Sequence, residues 1–178
     1  MYFEETGLKG AFIIEVKKLE DERGFFGRTF CQHEFKEHGL ETKISQANMS
    51  LTQLKGTFRG MHFQISPYQE TKLVRCTQGA IYDVIIDLRE NSPTFGKWIG
   101  VELTSENNKM LFVPRDFAHG FITLENDSAV HYLVSEFYTP NSERGIKWDD
   151  PRFGIKLPIP ITLISEKDNA HPPFNTNG

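Results

Sequence analysis

The sequence predicts an all-β protein, a sandwich or barrel of short strands with little helix. Three observations carry that prediction. Between residues 44 and 138, short runs rich in β-branched and aromatic residues follow one another at close intervals. Turn residues separate most of these runs, at Ser66-Pro67, Asn91-Ser92-Pro93, Glu106-Asn107-Asn108, Pro114-Arg115-Asp116 and Glu125-Asn126-Asp127. At 178 residues with 38% apolar side chains, the chain is long enough and apolar enough to bury one sizeable core.

Residues 8–19 read as a strand from their β-branched and aromatic content. Asp21-Glu22-Arg23-Gly24 is a turn, and residues 25–30 read as a second strand. Residues 32–40 hold good helix formers and stop near Gly39, which predicts a short helix with a glycine end. Strands are then predicted over Ile44–Leu51, Gly56–Gln64, Lys72–Gln78, Ala80–Asp87, Lys97–Leu103, Lys109–Val113, Ala118–Leu124 and Ser128–Tyr138. Residues 91–96 lack apolar periodicity and form a loop. After Pro140 the pattern loosens. Trp148-Asp149-Asp150-Pro151 is turn-rich, and Pro158 and Pro160 make residues 155–163 an extended surface or edge segment. Ser165 is placed to cap a last short helix, and residues 172–178 are expected to fray. With no internal repeat, low-complexity tract or composition break, residues 1–178 are expected to form one domain.

The formal charge of −4 argues against general nucleic-acid binding. No apolar run is long enough to span a bilayer, and the first residues lack the basic and apolar regions of a signal peptide. Cys31 and Cys76 are too few and too far apart for a disulfide framework, so they read as free thiols of a cytoplasmic protein.

Chemistry concentrates between Gln46 and Gly79. Arg59, His62 and Lys72 stand among alternating apolar residues there. In a regular strand Arg59 and Met61 share one face, and Gly60, His62 and Gln64 the other; Lys72, Val74 and Cys76 share a face of the next strand. Basic side chains pointing into a β interior are costly unless that interior is wet and binds something.

A set of motifs runs through nearly the whole chain: Asp21-x-Arg23-Gly24-x-Phe26, Gln46-x-Asn48-x-Ser50, Arg59-Gly60-x-His62-x-Gln64, Lys72-Leu73-Val74, Ser92-Pro93-Thr94-Phe95-Gly96, Val113-Pro114-x-x-Phe117-Ala118-His119-Gly120-Phe121, Tyr132, Tyr138, Trp148-x-Asp150-Pro151 and Ser165-x-Lys167-Asp168. In this order they resemble nucleotide-sugar 3,5-epimerases, and above all the dTDP-4-dehydrorhamnose 3,5-epimerase family of the cupins. The resemblance implies a cupin-type double-stranded β-helix jelly roll with short peripheral helices. It further implies a homodimer formed through the N-terminal strands, with a nucleotide-sugar substrate.

The residue types suit that chemistry. Hydrogens alpha to a ketone are weakly acidic, and epimerisation needs a base, a charge to hold the enolate and an acid on the opposite face. Histidine titrates near neutrality, which suits His62 as base. Lys72 would hold the enolate, Tyr132 would be the acid, and Asp168 would orient the His62 ring as the triad carboxylate does; the resemblance implies the same roles. No cofactor and no metal is expected, since the substrate ketone is itself the electron sink. Arg59 suits the diphosphate, with Arg23, Gln46 and Asn48 as further contacts. The resemblance assigns Arg23 and Phe26 to the neighbouring subunit. Tyr138 could stack on the base, and His119 reads as lining of the site. His33, His38, His131 and His171 read as surface or packing residues.

Four positions depart from the family pattern: Arg28 for an acidic residue near the nucleobase, Glu70 for Gln, Asp116 for Gly and Leu133 for Lys. Arginine cannot accept from the thymine N–H but suits the acceptors of guanine, so a GDP-linked 4-keto sugar is an alternative to dTDP-4-keto-6-deoxyglucose. The departures also leave open whether C3, C5 or both are inverted. Two other classes compete. A metal-dependent cupin isomerase or dioxygenase would use His62, Glu70 and His119 as ligands. A non-catalytic sugar-binding jelly roll would need no base, acid and orienting carboxylate together.

Overall fold

The computed structural model describes residues 1–175. In chain order the elements are β1 (Tyr2–Glu5), β2 (Phe12–Glu15), β3 (Leu19–Asp21), β4 (Gly24–Phe26), α1 (Gln32–Glu37), β5 (Gln46–Thr52), β6 (Thr57–Gln64), β7 (Lys72–Gln78), β8 (Ala80–Asp87), β9 (Trp98–Thr104), β10 (Lys109–Val113), β11 (Phe117–Thr123) and β12 (Ser128–Val134). A 3-10 turn at Pro140–Ser142, β13 (Glu143–Gly145), β14 (Leu163–Ile164) and α2 (Glu166–Asn169) complete them. Two sheets face each other as a jelly roll. One has the order β1-β2-β10-β7-β12-β5 and the other β13-β6-β11-β8-β9, with β14 added parallel to β6. β3 and β4 form a separate, exposed hairpin.

Alternation along each strand sorts the side chains into three apolar layers. Val74, Leu111 and Val130 of the first sheet meet Ile81, Ile85, Phe117 and Phe121 of the second between the sheets. On the outside of the first sheet, Ile14, Met110 and Phe112 pack against Phe35 of α1. On the outside of the second, Phe58, Met61, Val84, Ile86 and Ile122 are covered by Ile146, Phe153 and the C-terminal segment. The core between the sheets fills only one end of the sandwich, and the other end carries the polar side chains described below.

The expected elements from 44 to 138 are all present, with ends shifted by a few residues. The largest shift is at Ser128–Tyr138, where the strand stops at Val134 because its neighbour β5 begins at Gln46, the partner of Val134. The N-terminal expectation needs correction. Residues 8–19 are not one strand: Gly10 turns the chain with φ +85°, β2 covers only 12–15, and it pairs with the unanticipated β1. Of residues 25–30 only the first two are strand, in the hairpin with β3. α1 ends as expected, with Gly39 at φ +70° and the Leu40 amide donating to the Phe35 carbonyl. Ser165 does cap α2, its hydroxyl accepting from the Asp168 amide at 3.1 Å. The expected fraying is wrong for residues 172–175. Lys147 N–H donates to Pro172 O at 3.0 Å, Phe174 N–H donates to Asp150 Oδ2 at 2.7 Å, and the Phe174 ring packs near Phe95 and Phe153. Residues 176–178 lie outside the described residues.

Candidate active site

β6 builds the site through an irregularity that simple alternation misses. Its register against β11 pairs Arg59 with Phe121 and His62 with His119, so Gly60 and Met61 together oppose the single residue Gly120. That extra residue is a β-bulge, and it reverses the alternation beyond it. Phe58, Met61 and Phe63 therefore all join the outer apolar layer, while Arg59 and His62 both point inward. The expectation that Arg59 and His62 lie on opposite faces is overturned. Two glycines make the bulge possible. Gly60 sits at φ +133°, and a Cβ on it would lie 2.5 Å from the Gly120 Cα; one on Gly120 would lie 2.8 Å from the Arg59 carbonyl.

The inward side chains line a cavity of about 300 Å³ whose wall includes Ser50, Arg59, Lys72, His119, Tyr132, Lys167 and Asp168 around His62. It adjoins a second of about 390 Å³, which shares His62, Lys72 and Tyr132 and adds Gln46, Asn48, Gln64, Glu70, Tyr138 and Glu143. The two sheets supply opposite walls. His62 and Arg59 come from β6, whereas Lys72 and Tyr132 come from β7 and β12 of the facing sheet. A larger groove of about 830 Å³, lined by Lys9, Arg89, Asn91 and Phe174 among others, contains no histidine or tyrosine.

α2 delivers the carboxylate. Asp168 is buried, accepts from His62 Nε2 at 2.8 Å through one oxygen, and accepts from the Gly60 amide at 3.1 Å through the other. Burial opposes its ionisation, but the His62 ring and the Gly60 amide outweigh it and hold the carboxyl below the usual range. Opposite, burial pushes the Tyr132 hydroxyl above its ordinary value; the Arg59 charge opposes this and the Glu70 charge adds to it. Tyr132 is thus a protonated donor at neutral pH. Lys72 Nζ lies 3.1 Å from Glu70 Oε1, and Gln64 Nε2 donates to the other Glu70 oxygen. Arg59 Nε donates to Thr52 Oγ1 at 3.0 Å, which fixes the guanidinium by one edge. His119 Nε2 lies 2.7 Å from Oδ1 of the fully buried Asp83. At the mouth, Gln46 Oε1 accepts from the Tyr138 amide at 2.7 Å, and the Tyr138 hydroxyl donates to Glu143 at 2.9 Å.

Arg23, Phe26 and Arg28 do not join this group within one chain. Arg23 and Phe26 stand exposed on the β3–β4 hairpin. Phe26 and Arg28 line a separate groove with Met1, Tyr2 and Leu19. Arg28 lies 3.1 Å from Glu34, whose other oxygen takes the N-terminal amine at 2.6 Å. The guanine reading assumed an Arg28 directed at a base; here its guanidinium faces a carboxylate of α1.

The structure also assembles residues that the sequence reading left out. His171, expected to be surface or packing, lies edge-to-face against His62 with ring centroids 5.5 Å apart, and its Nε2 is 3.7 Å from Asp168 Oδ1. Glu143 and Lys167 close the rim as an ion pair of 2.7 Å. Asp83 behind His119 had a legible signal, being a carboxylate at an inward position of the otherwise apolar Ala80–Ile86 run. His171 had none, because the tail that carries it reaches the site only through tertiary contacts. The metal set expected of a cupin oxygenase, His62 with Glu70 and His119, is not assembled, since Glu70 faces Lys72 and His119 faces Asp83.

The family model described as dTDP-4-dehydrorhamnose 3,5-epimerase matches residues 5–176 of the chain. A dTDP-4-dehydrorhamnose 3,5-epimerase of Methanothermobacter thermautotrophicus (strain Delta H) is 45% identical over 178 residues, covering 98% of this chain and 95% of the relative. The crystal structure of a dTDP-4-dehydrorhamnose 3,5-epimerase from Elizabethkingia anophelis superposes with a TM-score of 0.95 at 41% identity, covering 98% of this chain and 96% of that one. The structure of a dTDP-6-deoxy-D-glucose-3,5-epimerase from Legionella pneumophila in complex with dTDP-4-keto-L-rhamnose superposes with a TM-score of 0.90 at 37% identity, covering 97% and 92%.

Proposed function

The chain belongs to the dTDP-4-dehydrorhamnose 3,5-epimerase family, and from that premise we propose that it inverts C3 and C5 of a dTDP-linked 4-keto-6-deoxyhexose by proton transfer through an enolate. The observation that carries this reading is the opposition of the His62–Asp168 pair on one wall to Tyr132 and Lys72 on the other. Inversion requires a proton to leave one face of a carbon and return to the other, and two walls bearing a base and an acid meet that need.

The proton path follows from the hydrogen bonds. An ionised Asp168 accepts the Nε2 proton of His62, which leaves the Nδ1 lone pair to take the hydrogen alpha to the ketone. As the C–H bond breaks, its electron pair moves into the C4 carbonyl and makes an enolate. The Lys72 ammonium stabilises the oxygen of that enolate. Tyr132 then donates its phenolic proton to the carbon from the opposite face, and solvent restores both groups. C3 and C5 flank the same carbonyl, so one set of groups serves both carbons when the ring tilts between them. The ketone holds the electrons throughout, and the route needs no cofactor. A positioned general acid or base is worth about 10²–10⁴ in rate.

Arg59 is assigned to the diphosphate, with Gln46 and Asn48 as further contacts, Tyr138 against the base, and His119 as a lining residue held by Asp83. Arg23 and Phe26, exposed within one chain, are assigned to the neighbouring site of a homodimer formed through the N-terminal strands. The base is assigned as thymine, following the relatives and the engagement of Arg28 by Glu34. Residues 1–178 act as one domain. Among the described residues no helix is long and apolar enough to cross a membrane. With free Cys31 and Cys76, a cytoplasmic location is the proposed one.

Proton NMR in deuterated water tests the whole reading. With dTDP-4-keto-6-deoxyglucose the enzyme is expected to wash deuterium into C3 and C5, with dTDP binding more tightly than GDP. Binding without exchange at either carbon would reject epimerisation in favour of a binding module. A His62→Ala variant at the full wild-type rate would remove His62 from the role of base.

A further inference from the structure

We infer that His62, Asp168 and His171 form an inhibitory site for a divalent transition-metal ion such as zinc, set behind the catalytic base. The inference rests on the reading of His62 as that base. The ligand-type atoms of the three residues all lie within 4.8 Å of one another, with Asp168 Oδ1 2.8 Å from His62 Nε2 and 3.7 Å from His171 Nε2. Zinc bonds of about 2.0–2.2 Å place ligand atoms roughly 3.4 Å apart, so one side of the triangle must open by roughly half an ångström and the widest must close by at most about 1.4 Å. Two imidazoles with one carboxylate are a donor set suited to zinc and its neighbours in the first transition row.

His171 is the residue that turns a catalytic pair into a site. Its Nε2 is buried and has no hydrogen-bond partner among the described residues. A buried nitrogen left unpaired is costly, and it lies beside the two atoms that would complete a metal triad. The fold makes room for the ring deliberately. Gly145 of β13, paired in register with His62, has no Cβ, and one built there would lie 2.2 Å from His171 Nε2. Lys167 is the cation that faces this cluster, and its charge is matched by Glu143 at 2.7 Å.

A metal here would stop the reaction by changing the tautomer of His62. A neutral imidazole that coordinates through Nε2 carries its single proton on Nδ1. The Nε2 proton that Asp168 held moves to Nδ1, with no net release, and the lone pair that accepts the substrate proton is gone. Metal binding and proton abstraction are therefore mutually exclusive, although the ion never touches the sugar.

The test uses the full chain, stripped with a chelator and titrated with zinc chloride against a chromophoric competitor. One zinc per chain is expected, together with suppression of solvent deuterium exchange that EDTA reverses. His171→Gln keeps the size and polarity of the side chain but is a poor ligand. It is expected to weaken zinc binding by at least about 10–100-fold, the loss that removal of an outer-shell partner alone produces, and to need proportionally more zinc for inhibition when each protein is compared with its own zinc-free exchange rate. In the wild type itself, zinc should shift the imidazole resonances of both His62 and His171 while leaving those of His33 and His131 in place. Absence of saturable binding, equal affinity in His171→Gln, or a His62 shift without a His171 shift overturns the site. Binding through His171 with undiminished exchange overturns its inhibitory role and points to a base other than His62, which the His62→Ala rate then decides separately.

Discussion

Tyr132 is a sheet aromatic by position and a donor by environment. It sits on β12 between β5 and β7, and burial holds its proton on well above neutrality. If it is the acid of the far wall, removing its hydroxyl should separate two events that are coupled in the wild type. Tyr132→Phe is expected to keep exchanging substrate hydrogen with deuterated solvent from the His62 side, while inversion falls by about 10²–10⁴. Parallel measurement of deuterium incorporation and of the epimerised product checks this. Equal inversion in variant and wild type would remove Tyr132 from the role of acid.

At the scale of elements, the bulge in β6 decides which side chains meet. Gly60→Ala sets a methyl group against the backbone of Gly120 in a conformation that favours glycine. A destabilisation on the order of 1–3 kcal/mol is expected in urea unfolding. Epimerase activity should fall by more than the loss of folded protein, since the bulge is what puts Arg59 beside His62. The loop between β8 and β9 supplies a second prediction. The Asp87 carboxylate is buried there, accepts from Arg89 at 2.7 Å and from Thr94 Oγ1 at 2.6 Å, and also accepts from Ser92. Burial would raise its pKa, but these bonds prevail and pull it down to about 2. A depressed carboxyl pKa contributes stability that is present above the unfolded value near 4 and is lost as pH falls through about 2. Asp87→Asn is therefore expected to cost about 2 kcal/mol at pH 7. Chemical denaturation at pH 7 and pH 3 should find the gap narrowed to about half at the lower value.

At the scale of the whole molecule, the exposed β3–β4 hairpin is the part that one chain leaves without a purpose. Phe25 and Phe26 are 50% and 69% exposed, and Arg23 faces solvent rather than the cavity. If the hairpin completes a neighbour's site, Arg23→Ala and His62→Ala chains should each be weakly active alone. Mixed and re-assembled in equal amounts, they should recover about a quarter of wild-type activity, because half of the dimers then carry one intact site. Sedimentation of the mixture confirms the dimer, and no recovery would place Arg23 outside the neighbouring site. The C-terminal segment works at this scale too. It covers the outer layer of the second sheet and carries Asp168 and His171 into the site.

The sequence by itself determined the class of the fold and most strands between residues 44 and 138, and it singled out His62, Lys72, Tyr132 and Asp168, which the structure brings around one cavity. Those features are local, or they are motif residues whose types match the chemistry. Alternation placed Lys72 on the face of Val74 and Cys76 correctly, because β7 is regular around Lys72. It failed at Arg59 and His62, because a bulge is a property of two paired strands, and only the fit of Gly60 against Gly120 reveals it. β1 was missed for the same reason, since four residues become a strand only when β2 accepts their hydrogen bonds. The bond from the Gly60 amide to Asp168 and the approach of His171 to His62 join residues about a hundred positions apart, and the packed tail likewise rests on tertiary contacts. No periodicity encodes such contacts; the shape of the outer layer and the space over Gly145 create them.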